Sequence, residues 1–80
     1  MTVAGPAKTT ELVEFIAKAI VTEPDSVVVS EADGGRTIEL ETAPGDRGRV
    51  IGRQGRVAKA IRAVIAASRT GGSTRLEIID

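Results

Sequence analysis

Val50-Ile51-Gly52-Arg53-Gln54-Gly55-Arg56 places two glycines three residues apart around a guanidinium and an amide. These residue types suit the holding of an anion better than a bond-making reaction. Glycine permits a sharp backbone turn and lets a sugar-phosphate chain approach with no Cβ in the way. Arg49, Arg53, Arg56, Lys59 and Arg62 add positive charge around the pair, and no Asp or Glu occurs between Arg47 and Arg75. A helix beginning after Gly55 would add free backbone N–H groups and the positive end of its dipole. The competing interpretation is a plain turn between two helices, with a glycine C-cap and solvated arginines.

Spacing alone does not decide, because Gly45-Asp46-Arg47-Gly48 has the same form. There the aspartate is expected to repel phosphate and to serve as N-cap of the helix that follows. Neither a G-x-G-x-x-G fingerprint nor a Gly-Lys-Ser/Thr ending is present, so no dinucleotide fold or P-loop is implied. The chain has no cysteine and no histidine, which excludes thiol and imidazole catalysis, disulfides and Cys/His metal sites. Glu39 and Glu41 alternate on a strand face turned to water, with no pocket implied, so a carboxylate enzyme is not indicated and no cofactor is called for. Phe15 is the sole aromatic residue, too few for the stacking platforms of RRM-type or OB-type binders.

The formal net charge is zero, but the charges are segregated. Residues 1–44 carry three basic and eight acidic residues, a net −5, and residues 45–80 carry eight and three, a net +5. Such asymmetry points to a basic face concealed by a neutral total. No signal-like segment and no run of eighteen apolar residues occurs, so a soluble cytoplasmic protein without membrane contact is expected.

The elements that must carry these residues are legible. Thr9 or Thr10 caps a helix with Glu11 and Glu14 in its first turn and an apolar face of Leu12, Val13, Ile16, Ala19 and Ile20, running to about Val21 before Pro24. Ser26 to Ala32 reads as a strand, Asp33-Gly34-Gly35-Arg36 as a hairpin turn, and Thr37 to Glu41 as a second strand with Ile38 and Leu40 inward. A short helix over Arg47 to Ile51 leads to the glycine pair. A longer one buries Val57, Ala60, Ile61, Val64 and Ile65 and ends at Gly71 and Gly72, before a last strand from Thr74 to Ile79. The order α-β-β-α-α-β describes an α+β domain with a three-stranded sheet and helices on one face. The pattern admits the third strand at either edge.

Gly48 to Arg62, GRVIGRQGRVAKAIR, resembles the signature of the KH domain, in which V-I-G-x-x-G joins two helices and clamps about four nucleotides. The element order resembles the type II, prokaryotic form of that fold. From Glu11 to the closing LEI, the chain is similar to the KhpA (YlqC-like) family of small bacterial single-KH-domain proteins. The tail at residues 1–8 falls outside the resemblance and is expected to be disordered, with no assigned role; the resemblance implies a KH domain at 9–80 and non-catalytic clamping of single-stranded RNA. Its loop falls on Gly52, Arg53, Gln54 and Gly55, with Arg53 and Gln54 facing the phosphates. Val50 belongs to the core, Ile51 either contacts bases or completes the core, and the second wall of the groove falls on the short segment 69–73. The resemblance further implies an RNA chaperone or post-transcriptional regulator tied to cell shape and envelope growth. Its partners would be a second copy or a larger KH protein of the Jag family. A protein-interaction module that keeps the fold without RNA, and a single-stranded DNA binder, are the alternatives.

Overall fold

The computed structural model describes residues 9–68 and 74–79. Helix α1 (Thr9–Ile20) buries Thr9, Val13 and Ala17, a row of four-residue steps along one face. Leu12, Ile16 and Ile20 flank that row half-buried, and Ala19 is exposed. The helical period fits either alanine, and the surface the helix packs against turns Ala17 inward in place of Ala19. Thr9 and Thr10 both lie within the first turn of α1.

Pro24 ends this segment as its geometry requires, with Glu23 at φ −124° and ψ 77°. Pro24–Ser26 forms one 3-10 turn, so the first strand starts two residues later than expected, as β1 (Val28–Ala32). The turn to β2 (Thr37–Glu41) is built from three positive-φ residues, Asp33 at 56°, Gly34 at 66° and Gly35 at 89°. β1 and β2 pair antiparallel from Val28↔Glu41 to Ala32↔Thr37. After α2 (Arg47–Ile51) and α3 (Arg56–Ser68), β3 (Arg75–Ile79) returns parallel to β2, from Thr37↔Arg75 to Glu41↔Ile79. The sheet order is therefore β1-β2-β3, with β2 central.

The central strand explains the core. Ile38 and Leu40 have no exposed surface and meet Val13 and Ala17 of α1, Val50 of α2, Ile61 and Ile65 of α3 and Leu76 of β3. On α3 the third buried residue is Ala58, whereas Ala60, expected inside, is exposed. The sole aromatic ring lies outside this core, with Phe15 65% exposed. The segment 69–73, expected to close the groove and to end α3 with Gly71 and Gly72, lies outside the described residues. Among the described residues, no helix is long and apolar enough to cross a membrane.

Urea denaturation should separate the two kinds of apolar residue. Ile38→Ala is expected to cost about 3 kcal/mol through lost burial and the cavity left behind, while Phe15→Ala stays within about 0.5 kcal/mol. A large loss at Phe15 would place that ring in the core.

Candidate nucleic-acid interface

Helix α2 has only five residues, too few to hold itself in place without tertiary contacts. Its position is set at its start, where Asp46 is 1% exposed. The Asp46 Oδ1 accepts hydrogen bonds from the Thr22 amide at 3.0 Å and the Thr22 hydroxyl at 2.8 Å, and Oδ2 accepts from the Glu23 amide at 3.0 Å. Its side chain makes no capping bond to α2. The expected N-cap is thus a staple to the segment just after α1, with Thr22 24 residues away, and the carboxylate is turned inward, away from any phosphate at the surface. These bonds, led by that from the Thr22 amide and helped by Arg49, hold the Asp46 pKa below its ordinary value against the opposing effect of burial.

The two glycine pairs separate on backbone geometry. Gly45 and Gly48 keep ordinary backbone angles, and a Cβ at either would meet open space. Gly52 closes α2 at φ 79° and ψ 170°, its amide bonded to the Gly48 carbonyl at 2.8 Å. A Cβ there would stand 2.5 Å from Val57 Cγ2 and 2.8 Å from the Val57 nitrogen, so only glycine fits. Gly55 has φ 74° but nothing within 4 Å of a notional Cβ; the space beside it is open to an approaching chain. Between them Gln54 adopts the left-handed region, φ 57° and ψ 27°, which costs a non-glycine residue of order 1 kcal/mol. The turn is thus a formed feature, tied by the Gly55 amide to the Gly52 carbonyl at 3.1 Å.

Around this turn Arg49, Arg53, Gln54, Arg56, Lys59 and Arg62 are all exposed. Gln54 Oε1 accepts from Arg56 at 3.5 Å, and the Arg49 Nε lies 3.4 Å from Asp46 Oδ1. Val50 is fully buried, whereas the adjacent Ile51 is 38% exposed and keeps an apolar surface open beside the loop. Arg53, Gln54 and Arg56 stand on the loop or directly after it, at the start of α3, where the first backbone N–H groups have no intrahelical partner. Arg62 lies about 1.7 turns further along α3, about 9 Å up the axis and about 120° around from Arg56. The basic residues therefore form a stripe that winds away from the loop. What no local pattern announced is the role of Asp46, because its partners Thr22 and Glu23 are distant in sequence.

Residues 10–78 match the family model described as KhpA/KhpB, KH domain. The chain belongs to the KhpA/KhpB KH-domain family. Among the relatives of the family, a protein of Halalkalibacterium halodurans named RNA-binding protein KhpA is 53% identical over 86% of this chain and 96% of its own length. Proteins of the same name from Clostridium acetobutylicum and Listeria monocytogenes are 57% and 45% identical, over 72% and 88% of this chain and 80% and 97% of theirs. No solved structure matches it significantly. The KhpA/KhpB match spans α1 through β3, so the glycine loop and the Asp46 staple both lie inside it.

Two experiments check this geometry. In urea denaturation Gly52→Ala should cost more than about 2 kcal/mol, the left-handed backbone adding to a contact that cannot relax. Gly55→Ala should cost about 1 kcal/mol from backbone strain alone, and Gly45→Ala should be near neutral. For Asp46, a folded-state pKa below the unfolded value means a contribution that is complete above the usual carboxylate range and lost as pH falls through the folded value. Native Tm should therefore drop on acidification below about pH 4, whereas Asp46→Asn, lower by several degrees at neutral pH, should lose less over the same window.

Proposed function

We propose that the protein binds single-stranded RNA without catalysis, the Gly52–Gly55 loop clamping the backbone of about four nucleotides. The observation that carries this is the loop itself: a preformed, exposed turn with open space over Gly55, Arg53 and Gln54 at its tip, and the N-terminus of a 13-residue helix behind it. The names of the relatives agree with it. Backbone amides and arginines take the phosphates, and the open apolar surface of Ile51 takes part of a base. With no aromatic platform, base selectivity is low, which suits an RNA chaperone or post-transcriptional regulator working on many transcripts in the cytoplasm. A second copy, or a larger KH protein of the Jag family, would extend the short groove. Exposed Phe15 and Val28, the latter on the edge strand β1, are apolar surface available to such a partner.

Fluorescence anisotropy with short single-stranded RNAs tests the clamp. With four phosphates engaged, log K should fall against log salt with a slope of about −3. Arg53→Asp with Gln54→Asp should weaken binding on the order of tenfold or more at low salt, with the circular dichroism spectrum retained. Unchanged affinity in the double variant would remove the loop from the interface, and tighter binding of matched DNA would reassign the nucleic acid.

A further inference from the structure

Arg36 and Arg75 come from opposite charge halves of the chain and meet at the end of the sheet remote from the glycine loop. Arg36 closes the β1–β2 turn, Arg75 opens β3, and the Arg75 amide donates to the Arg36 carbonyl at 2.8 Å. Together with Asp33, Thr37 and Thr74 they line a polar cavity of about 330 Å³ that opens to solvent. Neither guanidinium forms an ion pair among the described residues. Asp33 is the single carboxylate in that described lining, so the cavity keeps a net positive charge. Both arginine side chains are exposed and line the same cavity, where an anion between two like charges is favoured. A phosphate would accept from both forks, with threonine hydroxyls alongside.

We propose that Arg36 and Arg75 form a second phosphate subsite, taking a phosphodiester of the same RNA strand beyond the nucleotides held at the glycine loop. This rests on the proposed RNA clamp at Gly52–Gly55. A polar cavity flanked by arginines, with no aromatic wall, suits the backbone of a strand better than a base. The five residues of β2 separate Arg36 from the segment that leads into α2 and the loop, a distance of about 17 Å. A strand advancing at least about 3.4 Å per nucleotide crosses that distance within about five nucleotides. RNAs of about four nucleotides would then use the loop alone, and RNAs of about twelve would use both sites.

Amide and arginine side-chain NMR signals of the full chain, titrated with the two RNA lengths, test the subsite. The loop signals of Arg53 to Gly55 should shift with both lengths, and those of Arg36 and Arg75 with the longer RNA only. The salt slope should steepen for the longer RNA by about 0.7, the increment for one more phosphate. Arg36→Glu and Arg75→Glu should abolish that increment and leave the short RNA unaffected. Arg36→Gln and Arg75→Gln, which remove charge without reversing it, should reduce it in the same direction. Silence of Arg36 and Arg75 toward the longer RNA, or an increment that survives both substitutions, overturns the subsite while the clamp stands. Shifts at Arg36 and Arg75 without any at the loop would support the anion site and overturn the clamp.

Discussion

Asp46 accepts three hydrogen bonds from Thr22 and Glu23 within a nearly fully buried setting, so the segment leaving α1 and the start of α2 are held as one piece. A buried carboxylate is tolerable only where donors replace the water it gives up, and two backbone amides and a hydroxyl do so here. Everything that follows in the chain is referred to this point. α2 is a turn and a half long and cannot orient itself, yet it must deliver Gly52 to the surface at a fixed angle. Val50, inserted in the core between helices and sheet, supplies the second fixed point. Two fixed points four residues apart define the direction in which the loop emerges.

From there the two glycines divide the work. Gly52 is required by the protein, since a side chain would collide with Val57 on the first turn of α3. Gly55 is required only by its backbone angle, and the space beside it is empty. One glycine thus lets α2 and α3 approach closely, and the other leaves room for a ligand. Left-handed Gln54 between them belongs with this picture, because a strained backbone persists only where surrounding structure holds it.

Much of this was legible beforehand, for reasons that can be named. The breaks at Pro24, at Asp33-Gly34-Gly35 and at Gly52 depend on residues whose backbone preferences are strong and local, and each break lies where those preferences put it. Ile38 and Leu40 alternate with polar residues, and a period of two cannot be satisfied by any other element. The misplacements are of another kind. Ala17 and Ala58 are inside where Ala19 and Ala60 were expected, because alanine adds little to an apolar pattern and the packing partner chooses between them. Asp46 was read through its nearest helix, whereas its partners lie 23 and 24 residues away.

The sequence by itself determined the kinds and order of the elements, the absence of thiol and imidazole chemistry, and the glycine loop with its basic neighbours, since all of these follow from residue type and short spacing. Tertiary structure alone decided three things. It distinguished the glycine pair at 52 and 55 from the pair at 45 and 48, because only the first has left-handed backbone angles. It placed β3 parallel beside β2, an edge that two intervening helices leave open. Through that pairing it brought Arg36 from the acidic half against Arg75 from the basic half, a neighbourhood created by strand register and not by chain distance.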